Sequence, residues 1–328
     1  MSHSMEPNSS QLEYVPPKAG LLSYLPSTWV PYAELIRLDK PTGFLYLYFP
    51  CIFGSLLAAI LAKPVAPLYE LLMTNICLLI GSILVRGLGC TWNDILDKEV
   101  DRKVSRTRLR PMARGAVSVH NAIYYTSIQL LVISGLLLNW SSTLFFYSIP
   151  LLVLTGFYPL AKRMTNYPQV VLGCAFSWGI IMAFPALDID ILASQISLIS
   201  SGCLYTSAIF WTILYDTVYA LQDVKDDPKA GVKSIAVRHE HHVKAVLAVV
   251  ALAQVFSLVT TGFFAALGPF YFVGTCCGTI VTLGIMVRRL DVESPANCLW
   301  WFKYGCWITG GTISSGLIGE YIATLIYL

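Results

Sequence analysis

Two short stretches hold eight of the nineteen acidic residues in this 328-residue chain. The first is Asn93-Asp94-Ile95-Leu96-Asp97-Lys98-Glu99-Val100-Asp101, and the second runs from Asp216 through Asp223 and Asp226 to Asp227. Asn93, Asp97 and Asp101 recur at i, i+4 and i+8, so a helix would set them on one face. Asp216, Tyr219, Asp223 and Asp227 share a face by the same rule. Carboxylates gathered in this way repel one another unless a counter-charge stands between them. An all-oxygen donor set selects a hard divalent ion, Mg2+ for preference, which keeps some of its waters and bridges to phosphate. Asn93, Asp94, Asp97, Asp101, Asp216, Asp223 and Asp227 are therefore the candidate metal ligands. Solvated loop charge would account for one such stretch, but poorly for two, each beside basic residues.

Three cations extend the pattern. Arg86 lies seven residues before Asn93, two helical turns deeper in an apolar run, where a guanidinium is expensive and keeps its proton. It would either pair with the carboxylates or hold an anionic substrate. Lys162 and Arg163 end another apolar run, and beside two acidic motifs they read as a pyrophosphate clamp. No Ser/His/Asp or Cys/His constellation is evident; His239, His241 and His242 read as a solvated loop, and the nine cysteines, without zinc-ligand spacing, as packing residues.

The elements that must position these groups are membrane helices. The chain is 56% hydrophobic and 12% charged, with a mean hydropathy of +0.65, against about 25% charged residues in soluble domains. No Asp, Glu, Lys or Arg occurs from Ala116 to Ala161, Ile191 to Tyr215 or Ala245 to Val287. Such runs match the roughly 20 apolar residues that cross a bilayer core. This composition, with a net charge of only +3, excludes a soluble enzyme, a nucleic-acid-binding protein and a disordered chain.

An all-α polytopic membrane protein is expected, with nine helices near 42–62, 69–91, 120–138, 143–161, 168–187, 196–221, 243–264, 267–287 and 305–327. Residues 1–33 read as a mobile cytosolic tail and 34–328 as the membrane domain. If the loops after helices two, four, six and eight lie on the N-terminal side, they and the N-terminal segment carry 20 of the 22 basic residues. The opposite side then has only Lys63. The positive-inside rule puts both acidic clusters at the cytosolic surface. Asp94 and Asp223 each follow a span four helices apart, which points to a parallel internal repeat around a central cavity.

These residues resemble the UbiA superfamily of intramembrane prenyltransferases. Asn93-Asp94-x-x-Asp97-x-x-x-Asp101-Arg102 with Arg106-Thr107-Arg108-x-Arg110-Pro111 and Gly115 is similar to that family's first aspartate-rich signature. Tyr215-Asp216-Thr217-x-Tyr219-Ala220-x-x-Asp223-x-x-Asp226-Asp227 with Gly231-Val232-Lys233-Ser234 resembles the second. Arg37-Leu38-Asp39-Lys40-Pro41-Thr42-Gly43, Tyr158-Pro159 through Arg163, and Pro168-Gln169-Val170-Val171-Leu172-Gly173 match in the family order.

The resemblance implies nine helices around a cavity open to lipid, a cytosolic cap, and two Mg2+ ions bridging a prenyl diphosphate. Asn93, Asp97 and Asp101 would hold one ion, and Asp216, Asp223 and Asp227 the other. Asp97, Asp101, Asp223, Asp227 and Tyr158 would form the catalytic centre, with Tyr158 facing the reacting carbon. Lys162, Arg163 and Arg102 would hold the diphosphate, Tyr219 would contact substrate, and Arg86 or Arg37 would orient the acceptor. The pattern is closest to the 4-hydroxybenzoate polyprenyltransferase branch, and the run from Leu35 to Leu45 is similar to fungal meroterpenoid prenyltransferases. That likeness implies farnesyl transfer from farnesyl diphosphate to a polyketide-derived phenolic acceptor in the endoplasmic reticulum or another internal membrane. No nucleic acid and no obligate protein partner is expected. The rival readings are a ubiquinone-pathway 4-hydroxybenzoate polyprenyltransferase, a terpene cyclase of the same fold and, from another class, a cation transporter.

Overall fold

The computed structural model describes residues 14–40, 42–104 and 106–327, and among them there are helices and no strand. Helix α1 (Val30–Leu35) leads into α2 (Thr42–Leu61), which returns through a short loop into α3 (Leu68–Leu96). One turn, α4 (Lys98–Asp101), and a long irregular loop precede α5 (Val119–Trp140) and α6 (Ser142–Met164). Two shorter helices, α7 (Pro168–Ser177) and α8 (Gly179–Ala186), form the next passage, followed by α9 (Gln195–Ala220). The long loop after α9 contains α10 (Asp227–Ala230) and α11 (Ile235–Arg238), and leads to α12 (Val243–Phe264). A π-helical stretch at Tyr271–Cys277 continues as α13 (Gly278–Arg289). The chain closes with α14 (Pro295–Gly305), a second π stretch at Cys306–Gly310, and α15 (Gly311–Tyr327).

Serines start several of these helices. Ser118 and Ser194 accept the backbone N–H of Asn121 and Ser197 at the heads of α5 and α9, and Ser234 does the same for Val237 in α11. Among the described residues, eight helical passages are long and apolar enough to span a bilayer, and they coincide with the first eight expected from the sequence. In the ninth expected segment, 305–327, the α portion Gly311–Tyr327 is 17 residues long and continues from the π stretch.

Residues 14–33, read from the sequence as part of a mobile tail, are mostly exposed but anchored to the helices at a few positions. Leu22, Val30 and Ala33 are buried, and the Tyr14 hydroxyl donates to Glu34 at 2.8 Å. Isolated Leu, Val and Ala among prolines give no periodic signal, which is why this packing is not visible in the sequence. Residues 1–13 of that expected tail lie outside the described residues.

The passages differ in how much lipid they face. Two thirds of the apolar window of α2, and of the α7–α8 passage, is buried, against 11% for α5. Helix α2 is thus a central post, and α5 a lipid-facing wall. Gly54 lets α2 approach α8 backbone to backbone, since a Cβ there would stand 2.5 Å from Ile180 Cα. An aromatic cluster fills the middle of the molecule. Tyr46 stacks on Tyr215 and on Phe302, and Trp211 meets Tyr46, Phe49 and Phe53 at centroid distances of 5.5–6.0 Å.

Candidate active site

Helix α3 ends at Asp97, where the backbone leaves helical geometry before the single turn of α4. Helix α9 tightens into a 3-10 turn at Leu221–Asp223. Both acidic stretches therefore sit at the end of an apolar helix. Between them lies a polar cavity of about 150 Å3. Asp97 and Asp101 line one side and Asp216, Asp223 and Asp227 another, with Tyr158 and Lys162 from α6 and Gln169 from α7. The Lys233 N–H donates to the carbonyl of Lys162 at 2.9 Å, and the Ile235 N–H to Gln169 Oε1 at 3.3 Å, tying the second loop to the ends of α6 and α7.

Charge in this cavity is largely compensated by arginine and lysine. Asp97 accepts from Arg163 at 3.0 Å and lies 3.7 Å from Lys162 Nζ, which also donates to Asn93 Oδ1 at 3.1 Å. Asp101 accepts from Arg110 at 2.9 Å. Asp223 takes Arg106 side-on, with Nε at 2.9 and 3.0 Å from its two oxygens, and a second arm of Arg106 donates to the Tyr219 hydroxyl. The guanidinium stands 4.9 Å from the Tyr219 ring centre, and Lys162 Nζ stands 4.8 Å from that of Tyr158. Burial raises the Asp101 carboxyl above the ordinary range despite Arg110. Burial, reinforced by Asp223, pushes Asp227 up to about 7.

Several expected site residues lie elsewhere. Asp94 is fully buried and is held by Arg37 at 2.5 Å and Arg110 at 3.3 Å, away from the cavity lining. The i+1 position that makes it adjacent to Asn93 in sequence turns it about 100° round the helix. Arg37 has a left-handed backbone (φ 59°), held by bonds from its guanidinium to the carbonyls of Glu34 and Leu35 and to Asp94. Arg102 points outward, to Glu99 at 2.9 Å and to the Ala113 carbonyl. Arg86 makes no ion pair among the described residues. Its guanidinium lies directly over Gly43, where any Cβ would collide with it, and its Nε is buried without a partner.

Arg106, Arg110 and Gln169 are the site residues that spacing alone did not single out. The arginine-rich run after Asp101 holds the first two, but nothing in it says which arginines turn inward. Gln169 falls within the stretch from Pro168 to Gly173 that resembles the family, but that likeness gave it no role at the site.

Among the described residues no three carboxylates converge tightly enough to define a metal site without rearrangement. The chemistry of the donors nevertheless fits Mg2+. They are all oxygen, they line a polar cavity, and among the described residues Asp216 and Asp227 have no basic partner within ion-pair distance.

The description of the UbiA prenyltransferase family matches residues 47–308, which include both acidic stretches and the helices that carry them. The chain belongs to the UbiA prenyltransferase family. It is thus an enzyme of prenyl transfer, and the relatives it matches along most of their length are aromatic prenyltransferases. A mitochondrial 4-hydroxybenzoate polyprenyltransferase of Schizosaccharomyces pombe is 35% identical over 98% of this chain and 87% of its own. The fungal prenyltransferase ascA of Acremonium egyptiacum is 35% identical over 84% of this chain and 81% of its own. Among solved structures, a UbiA homologue from Archaeoglobus fulgidus bound to GPP and Mg2+ superposes with a TM-score of 0.62 at 19% identity. That match covers 90% of this chain and 99% of the homologue. The fold is therefore that of the family, and membership sets aside the transporter reading.

Proposed function

We propose that this chain transfers a prenyl group, farnesyl for preference, from its diphosphate to a ring carbon of a phenolic acid. The observation that carries the reading is the single polar cavity in which both acidic motifs face Lys162 and Arg106 at the mouth of an apolar helical body. Asn93, Asp97 and Asp101 would hold one Mg2+, and Asp216, Asp223 and Asp227 a second, with the two cytosolic loops capping them. Bound there, the metal supplies positive charge against the departing diphosphate. Lys162, Arg163 and Arg106 bind the same oxygens, each already within reach of the cavity carboxylates.

Tyr158 and Tyr219 present ring faces that already receive Lys162 and Arg106, so they can stabilise an allylic cation passing between them. The apolar helices around the cavity keep water from that cation. Arg86, with an unpaired buried Nε, is better suited than Arg37 to orient an acceptor carboxylate, because Arg37 is already held by Asp94. The electron-rich ring then forms the new C–C bond as the allylic C–O bond breaks, and loses a proton to regain aromaticity.

Two readings of the acceptor follow from the relatives. Likeness to ascA and the run from Leu35 to Leu45 supports a polyketide-derived phenolic acid in fungal meroterpenoid synthesis, in the endoplasmic reticulum or another internal membrane. The near full-length match to the yeast protein supports 4-hydroxybenzoate and a longer polyprenyl donor, in the mitochondrial inner membrane. Mass spectrometry of products from membranes given a panel of phenolic acids and prenyl diphosphates, with and without Mg2+, tests both. Farnesylation of a larger phenolic acid supports the first reading, and selective use of 4-hydroxybenzoate with long donors replaces it by the second. Release of pyrophosphate without any prenylated aromatic product overturns both.

A further inference from the structure

Three arginines follow the first acidic stretch at four-residue steps, Arg106, Arg110 and Arg114. Each meets a carboxylate from a different part of the chain. Arg106 clasps Asp223 just past α9, Arg110 bridges Asp94 and Asp101, and Arg114 holds Glu34 of α1 at 2.6 Å. The third pair stands apart from the polar cavity, which neither Arg114 nor Glu34 lines. Both side chains are 13% exposed, which removes the pair from the surface salt bridges that contribute little. The other Glu34 oxygen accepts from the Tyr14 hydroxyl at 2.8 Å, and the Tyr14 ring centre lies 3.7 Å from the Arg114 guanidinium. A second arm of Arg114 donates to the Leu109 carbonyl, within the loop itself.

That loop needs outside support. From Lys98 to Arg114 it carries seven cations against two acids, Glu99 and Asp101, and like charges so close favour an open chain. Helix α1 supplies the support at neighbouring points. Leu35, next to Glu34, is buried with Met112 and Val117 of the loop and Ala122 of α5. Arg37, three residues after Glu34, reaches the loop through Asp94, whose Oδ1 it shares with Arg110.

We infer that Glu34 and Arg114 are positioning residues for the diphosphate site: by fixing the loop from outside the cavity, they set Arg106 and Arg110 at its rim. The inference rests on the reading of the polar cavity as the diphosphate site, and extends it to residues that do not touch that cavity. Arg106 and Arg110 do line it, and their partners Asp223 and Asp101 are candidate metal ligands, so those bonds are exchanged when Mg2+ and a diphosphate enter. The Glu34–Arg114 pair meets no such competitor and holds the loop in both states. A brace for α1 alone would not need a partner 80 positions away, in the loop that carries Arg106.

The test uses the full chain in lipid nanodiscs and two readouts. Limited trypsin digestion without substrate reports the loop directly, and KM values for farnesyl diphosphate and for one phenolic acid report the site. Glu34→Ala should speed cleavage between Lys103 and Arg110. It should raise the KM for farnesyl diphosphate by about tenfold, the scale of one charge-assisted hydrogen bond, and leave the KM for the acceptor within about twofold. Arg114→Glu should act in the same way, and the exchanged pair, Glu34→Arg with Arg114→Glu, should bring both readouts back toward wild type. Tyr14→Phe removes one bond to Glu34 and should give a smaller shift in the same direction, so it decides the matter if the charge variants do not yield monodisperse protein. Unchanged cleavage and donor KM in the folded variants overturn the inference, as do an equal rise in both KM values or an exchanged pair no better than the single variants. Wild-type protein inactive with every donor overturns the reading of the site instead, and the digestion pattern still decides whether Glu34 holds the loop.

Discussion

Four of the acidic residues illustrate how little adjacency says about role. Asp97 and Asp223 face the polar cavity, where they meet Arg163 and Arg106, whereas Asp94 is locked between Arg37 and Arg110. Asp101 joins the two systems, lining the cavity while accepting from Arg110. Asp97→Ala or Asp223→Ala should therefore lower turnover by at least about a hundredfold, the scale of losing one preorganised electrostatic contact to the transition state, with membrane insertion intact. Pyrophosphate release at near wild-type rate under saturating Mg2+ would contradict the metal role of either residue. Arg86 makes a separate claim. Because its buried Nε has no partner, Arg86→Ala should raise KM for an acidic acceptor by roughly ten- to a hundredfold, the worth of a charge-assisted hydrogen bond. The KM for prenyl diphosphate should stay unchanged. Parallel loss in both substrates would show that Arg86 supports the fold and not the acceptor.

At the scale of elements, the helices are held together by a few polar contacts set in apolar surfaces. Glu320, buried in α15, accepts the backbone N–H groups of Gly268 and Tyr271, satisfying donors at the start of the passage that becomes α13. Those donors have no other way to be satisfied away from water. Glu320→Ala should lower stability by about 1–3 kcal/mol, read as a fall in Tm in detergent, while Glu320→Gln should recover part of the loss. An unchanged Tm for the alanine variant would show that lipid or water reaches this end of the helix. The Tyr271 hydroxyl donates to the Leu258 carbonyl at 2.8 Å, so the same residue also joins this passage to α12. Gly54 works by absence of a side chain, allowing the α2–α8 contact on which the central aromatic cluster is built.

For the whole molecule, the two acidic motifs are separated by more than a hundred residues and four membrane passages, yet Arg106 from the first loop clasps Asp223 from the second. That single pair closes the polar cavity across the molecule. The candidate site accordingly lies at one surface of the helical body. The charged groups stay within reach of water at that surface, and the apolar helices extend from them into a dry interior where a cation would survive. The buried share of each passage follows the same plan, with α2 and α7–α8 at the centre and α5 facing lipid.

Hydropathy and charge along the chain determine the class, the first eight spans and the two acidic motifs. Each of these depends only on local composition and helical period, and a helix period places Asp97 and Asp101 or Asp223 and Asp227 without reference to the rest of the chain. Only the tertiary structure decides which cations join them. Arg102 and Arg106 sit four residues apart in the same loop, but the irregular backbone after α4 sends one to Glu99 at the surface and the other across the cavity to Asp223. The burial of Asp94, the seat of Arg86 on Gly43 and the anchoring of Tyr14 and Leu22 are contacts between segments distant in sequence, and no local period carries information about them.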